Sequence, residues 1–271
     1  MEILGYFLAA LVGISLGLIG GGGSILMVPI LVYVLGLDAT LATSYSLFVV
    51  GTTALVGAYT NYRKGLVSIQ TALLFGLSSI ATVFLTRKFL VPQIPDQLFS
   101  LGSFVFSRAM ATMLVFAILM LMASTAMIRT KKEENQEQSK QINYPKLFAY
   151  GIFIGLVTGF LGAGGGFLII PVLVLLLQLP MKQAVGTSLL IIALNSLIGF
   201  TGDIGNYPID WFLLLSITSI AVGGIFVGGL LAQKMDASSL KKAFGWFVLV
   251  MGIYIILKEI SSICDFSYHS L

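Results

Sequence analysis

Two glycine clusters are the residues of this sequence best suited to chemistry. Gly20, Gly21, Gly22, Gly23 and Ser24 form one; Gly162, Ala163, Gly164, Gly165 and Gly166 form the other. Each is followed by an apolar run carrying a proline, Pro29 or Pro171. Bare glycine backbone lets a ligand reach peptide N–H groups, and a helix starting just beyond it presents its partially positive end. Such a site prefers an anion. Ser46 and Ser188, with Thr53 and Asn195, supply hydroxyl and amide groups nearby. They would bind an oxyanion through directed hydrogen bonds without trapping it as a salt bridge would. The blander account of both sets is packing: glycines for close helix approach, and Ser, Thr and Asn for helix-to-helix bonds. Both accounts stand at this point.

Other chemistries are excluded more sharply. His269 is the sole histidine and Cys264 the sole cysteine. An intramembrane Ser–His dyad, a His-based metal site and an intrachain disulfide are therefore ruled out. No cofactor is implied. Gly162–Phe167 lacks the last glycine of G-x-G-x-x-G, and no G-K-[ST] follows either cluster, so a nucleotide is not expected. Asp38, Asp203 and Asp210 fall at the ends of apolar segments and read as solvated, which gives little support to a buried proton carrier or an aspartyl protease. The chain does not read as an enzyme.

The elements that must position these residues are membrane segments. Of 271 residues, 58% are hydrophobic and only 10% charged, and the mean hydropathy is +1.02. A chain of that composition cannot cover itself with polar surface, so its main solvent is lipid. The net charge of +4 sits in loops and not on one compact face, so nucleic acid is not an expected partner. Apolar segments fall at Ile3–Ile19, Ile25–Leu37, Leu41–Tyr59, Leu66–Leu85 and Ala109–Ile128. A second series covers Leu147–Leu161, Phe167–Leu179, Ala184–Phe200, Trp211–Ala232 and Leu240–Leu257. A spanning helix needs about 20 residues. Most segments approach that length, but Ile25–Leu37 and Phe167–Leu179 do not. The first segment lacks a basic leader and a cleavage site, so it is expected to be retained. Between Arg87 and Arg108, Pro92 and Pro95 interrupt an apolar loop for which an interfacial helix is expected.

The series repeats. Gly17, Gly20, Gly22, Gly23, Leu26 and Pro29 have counterparts 142 positions on (159 minus 17) in Gly159, Gly162, Gly164, Gly165, Leu168 and Pro171. Ala42, Ser46, Leu47 and Gly57 likewise match Ala184, Ser188, Leu189 and Gly199. The organisation is therefore a first membrane repeat (1–128), a charged linker (129–146), a second repeat (147–258) and a tail (259–271). Lys and Arg of short loops mark the cytoplasmic side. With the linker inside and an odd number of crossings per half, Arg63, Lys64, Arg129, Lys131, Lys132, Lys140, Lys146, Lys182, Lys234, Lys241 and Lys242 are cytoplasmic. Only Arg87, Lys88, Arg108 and Lys258 then lie outside. An even number of crossings distributes the charges almost equally, so inverted halves are favoured, with re-entrant hairpins as an option for the short segments. The expected fold class is all-α integral membrane, with two inverted-topology repeats of about five hydrophobic segments each and Gly-interrupted short or re-entrant helices.

Leu18–Leu31 (LIGGGGSILMVPIL) and Phe160–Leu173 (FLGAGGGFLIIPVL) resemble the paired signature of the sulfite exporter TauE/SafE family. Ala184–Leu189 (AVGTSL) is similar to its second recurring element and adds Thr187 to the candidate site, whereas Ala42–Leu47 (ATSYSL) departs from it at Ser44 and Tyr45. The resemblance implies a secondary transporter of the bacterial inner membrane for a small inorganic or organic sulfur anion such as sulfite, thiosulfate or a sulfonate. The expected partners are that anion and the lipid bilayer; a homo-oligomer is left open. An anion channel and a non-transporting scaffold are the alternatives. Cysteines substituted at Lys64 and Lys241 should react from the cytoplasmic face and one at Arg87 from outside; Lys64 and Lys241 on opposite faces would sink the inversion.

Overall fold

The computed structural model describes residues 2–95, 97–101, 104–129, 144–161, 166–205 and 208–268. Most of the linker, and Gly162, Gly164 and Gly165 of the second cluster, lie outside the described residues. Helix α1 (Glu2–Ile19) ends because Gly20 adopts φ 73°, a conformation that side chains resist. A single tight turn at Gly21–Gly23 reverses the chain into α2 (Ser24–Tyr33). Ten residues at about 1.5 Å each reach roughly 15 Å, half of a ~30 Å hydrocarbon layer. The second half repeats this with α6 (Tyr144–Leu161) and α7 (Gly166–Pro171), which runs on as one wide turn, Val172–Leu176. The second segment of each half is thus a short helix, as its length implies.

The other helices are α3 (Ala39–Arg63), α4 (Ile69–Leu85), α5 (Arg108–Arg129), α8 (Met181–Asp203), α9 (Trp211–Gln233) and α10 (Ala237–Tyr268). Helix α3 and helix α8 start 142 positions apart (181 minus 39), and so do α4 and α9 (211 minus 69). Asp38 starts α3 by accepting a hydrogen bond from Thr40 N, and Asp210 starts α9 by accepting one from Leu213 N. Both aspartates are exposed caps, as their place at segment ends implies. Among the described residues, four spans are long and apolar enough to cross a membrane: Ala39–Arg63, Ile69–Gln93, Met181–Asp203 and Trp211–Gln233. Phe212 is 81% exposed, and Phe7, Leu77, Met122 and Leu230 also face outward, an arrangement suited to lipid and not to water.

Packing respects the repeat. Helices α3 and α8 cross antiparallel, with Gly51 against Ser196 and Leu197, Gly57 against Leu189, and Gly199 against Leu47. Helix α1 runs alongside α9 in the same direction, Gly13 meeting Ala221 and Gly17 meeting Ile225 and Gly228. Its counterpart α6 runs alongside α4, Gly151 meeting Phe75 and Ser78, Gly155 meeting Ser79, and Gly159 meeting Val83 and Thr86. Each half therefore lays its first helix against the fourth helix of the other. Small residues every fourth position let the backbones approach, the usual means of association where lipid offers no hydrophobic drive.

Two expectations are corrected. The apolar stretch after Pro95 is not an interfacial helix: strands β1 (Gln97–Leu101) and β2 (Phe104–Ser107) pair antiparallel, Ser100 opposite Val105. β-Branched and aromatic residues there favour a pleated ribbon. Arg87 and Asp203 are not solvated loop residues either, being 0% and 1% exposed. Arg87 lies in a wide turn, Thr86–Leu90, that carries the chain of α4 onward, so exposed Lys88 is the better accessibility probe there.

A side chain at Gly228 would meet Ile14 O at 2.0 Å, whereas one at Gly223 meets nothing within 4 Å. Gly228→Ala should therefore cost about 1–3 kcal/mol by forcing α1 off α9, seen as a lower unfolding midpoint in detergent. Gly223→Ala should leave the midpoint unchanged.

Candidate functional site

The crossing of α3 and α8 sets the depth of the predicted residues. Thr53 and Asn195 fall near its centre, and Ser46 and Ser188 each lie seven positions away towards opposite ends, about 10 Å along the helix. Those four side chains do not converge on one point. Asn195 Nδ2 donates to Ser79 Oγ of α4 at 2.6 Å, binding a third helix into the crossing. Its Oδ1 and the hydroxyls of Ser46, Thr53 and Ser196 are buried and have no hydrogen-bond partner among the described residues. Unsatisfied buried polar atoms are costly, on the order of 1–3 kcal/mol each, so a row of them through the centre of the protein calls for a function.

The first glycine cluster does reach the second. Gly21 and Gly166 touch backbone to backbone: a Cβ built on Gly21 would lie 2.2 Å from Gly166 Cα. Gly23 packs equally tightly on α1, where a Cβ would meet Val12 O at 2.6 Å. Gly20 lies beside Ser188 and Val185 of α8, its Cβ position 3.1 Å from Ser188 Oγ. Gly22 is in the tight turn, and Ser24 Oγ donates back to Gly21 O at 2.6 Å. Ser188 Oγ likewise donates along its own helix to Val185 O, and Thr187 accepts Ser68 N at the start of α4. Part of the predicted set is thus occupied with structure: Ser24, Thr187, Gly21 and Gly166 hold elements together in this arrangement.

Room for a ligand lies next to this contact. A cavity of about 280 Å³ opens between α1, α3, α8 and α9, lined by Gly17, Asn61, Lys64, Lys182, Val185 and Gly229 among others. By the same measure one water needs roughly 10–15 Å³, so a hydrated oxyanion fits. Val185 is the link, since it lines the cavity and touches Gly20. Lys64 and Lys182 are exposed at its mouth and give it positive charge. None of the hydroxyl and amide groups singled out from sequence lines the cavity; Lys64 and Lys182 carried only topological meaning there.

At the opposite end of the α3–α8 pair, Arg87 Nη1 donates to Thr43 Oγ1 at 3.1 Å and Nη2 lies 3.5 Å from Asp203 Oδ2. Arg108 donates to Val91 O, Ile94 O and Thr40 Oγ1, tying the segment after α4 to the start of α3. The space left there, lined by Thr40, Thr43, Ile94, Arg108 and Phe160, is about 20 Å³. Removing one partner of a buried ion pair costs about 3–5 kcal/mol, so the closed arrangement depends on both Arg87 and Asp203. Among the described residues no group of His, Cys, Asp and Glu could hold a metal ion.

Residues 6–255 match the family described as sulfite exporter TauE/SafE. A "probable membrane transporter protein" of Xylella fastidiosa is 33% identical over 262 residues, covering 93% of this chain and 94% of the relative. Similar proteins under that description are YdhB of Bacillus subtilis, 27% identical over 91% of this chain and 96% of its own, and one of Haemophilus influenzae, 26% identical over 94% and 98%. No solved structure matches.

Thr53→Val removes an orphaned hydroxyl while keeping the side chain's shape. Stability should be unchanged or slightly higher, because a buried unsatisfied group is lost. Substrate uptake should fall if Thr53 serves a transported ion. Thermal unfolding and flux measured on one preparation check both, and loss of stability without loss of flux would assign Thr53 to packing.

Proposed function

This chain belongs to the sulfite exporter TauE/SafE family, and from that premise we propose that it is a secondary transporter moving a small sulfur-containing anion by alternating access. The observation that carries the reading is the one-sided cavity. It is large enough for a hydrated oxyanion, is flanked by Lys64 and Lys182, and ends against the first glycine break. Lysine at the mouth raises the local concentration of anions without desolvating them, while apolar walls weaken competition from water. Deeper in, the amide groups at Gly20–Gly23 and the start of α2 offer partial positive charge that binds without trapping. Helix α7, six residues long, contributes less by this route.

Inverted repeats fit the same reading. Equivalent helices α3 and α8 cross antiparallel, and the pairs α1–α9 and α4–α6 exchange under the repeat. A two-fold axis lying in the membrane plane has that effect, and it makes two related conformations, open to opposite sides, nearly equal in energy. With lysine-rich loops inside, the open cavity faces the cytoplasm and the Arg108 end faces outward. The bacterial relatives named above are described as membrane transporters, which supports a cell-membrane location. An open channel is the weaker reading because the Arg108 end leaves room for about one water.

In proteoliposomes the chain should carry labelled sulfite, thiosulfate or an alkanesulfonate saturably, and an excess of unlabelled anion on the far side should accelerate the flux. Replacing Lys64 and Lys182 together by Gln should raise KM about tenfold, a loss of about 1.4 kcal/mol, with the effect shrinking at high salt. Absence of flux for all three anions would overturn the proposed substrate class, and flux without saturation would favour a channel.

A further inference from the structure

The two ends of the protein are lined by residues that correspond under the 142-position repeat. The large cavity is lined by Leu18, Asn61, Lys182, Val185 and Gly229. Displaced by 142 positions (160 minus 18, for example), these correspond to Phe160, Asp203, Thr40, Thr43 and Arg87. Phe160, Thr40 and Thr43 line the small cleft of about 20 Å³. The other two counterparts are the buried ion pair. Where one end has Gly229, at which a Cβ would meet nothing within 4 Å, the other has the Arg87 side chain in contact with Thr43. Where one end has Asn61, bonded along its own helix to Gly57 O, the other has Asp203. All five pairs differ in residue type, and at the closed end the differences at positions 87 and 203 supply a cation and its counter-ion.

We propose that Arg87 is the anion-binding cation of the closed end, and that Asp203 is an internal carboxylate that occupies it while that end is shut. The proposal deepens the transport reading and rests on it. The 3.5 Å separation of Arg87 Nη2 and Asp203 Oδ2 is longer than the roughly 2.7–2.9 Å of a tight charge-assisted bond, and the carboxylate is the partner that an arriving anion replaces. A small oxyanion arriving from the Arg108 side takes its place on the guanidinium, and Asp203 swings into the water that enters with it. Loss of the pair releases the Thr86–Leu90 turn from the end of α8, and the cleft widens towards its counterpart. Arg108 closes the same cleft from outside through Val91, Ile94 and Thr40.

The test uses the full chain in proteoliposomes, with Cys264→Ser removing the only cysteine and one reporter cysteine at a time. Gly229→Cys reports the open cavity and Thr112→Cys the closed one. A membrane-impermeant maleimide should label Gly229→Cys at least tenfold faster than Thr112→Cys. Adding Asp203→Asn should raise the Thr112→Cys rate at least tenfold and lower that of Gly229→Cys. If Thr112→Cys stays protected in folded Asp203→Asn protein, the lock is refuted. If it opens while Gly229→Cys remains fully reactive, the lock stands and alternating access falls. Should Asp203→Asn fail to fold, Arg87→Met/Asp203→Leu decides, since well-packed apolar partners preserve a merely structural contact. The exchangeable lock predicts folded protein with Thr112→Cys protected and flux of the sulfur anions at least tenfold lower; flux like the parent's would overturn it.

Discussion

Gly21, in the turn between α1 and α2, and Gly166, the first residue of α7, press backbone against backbone with no space for even one methyl group between them. In lipid, irregular backbone survives only where protein or a wet cavity surrounds it, and Gly166 gives the Gly21–Gly23 turn that shelter. The remaining architecture holds this contact in place. Parallel pairs α1–α9 and α4–α6 fix α1 and α6, and the antiparallel α3–α8 pair fills the middle. Loosening any of these seams would expose peptide groups at a depth where water cannot satisfy them.

Charge is distributed around this centre with a clear economy. Lys64 and Lys182 stay exposed at one mouth, where hydration keeps them inexpensive. At the other mouth a guanidinium is fully buried, and an aspartate from a helix of the other half accompanies it. Between the two ends the polar groups are uncharged: Ser46, Thr53, Asn195 and Ser196.

Much of the fold was legible in residues. The 142-position echo between Gly17 and Gly159 carries through to the starts of α3 and α8, and the shortness of α2 and α7 followed from segment length. The glycine clusters drew attention to the right place but gave no means of dividing contact from ligand room, because Gly20, Gly21 and Gly23 look alike in sequence and face different neighbours. The hairpin after Pro95 was hidden by an apolar run, Phe104-Val105-Phe106, whose composition suits either a strand or an interfacial helix. Arg87 and Asp203 were read as loop charges since each stands at a segment end, and 116 positions (203 minus 87) separate them. Comparing the halves residue by residue shows that they stand opposite Gly229 and Asn61, both uncharged.

The exchange of first helices between halves also sets a timetable for synthesis. Helix α1 emerges first, yet the face carrying Gly13 and Gly17 has its partner in α9, beginning at Trp211. Until then its small-residue seam has only lipid or the insertion machinery beside it. Contacts so distant along the chain form late and slowly. The first half thus waits as an open clasp that the second half closes, and a chain truncated before Trp211 would lack the partner on which α1 rests. Two separately made halves could still assemble, each completing the other, which is the relation a pair of identical single-repeat ancestors would have had.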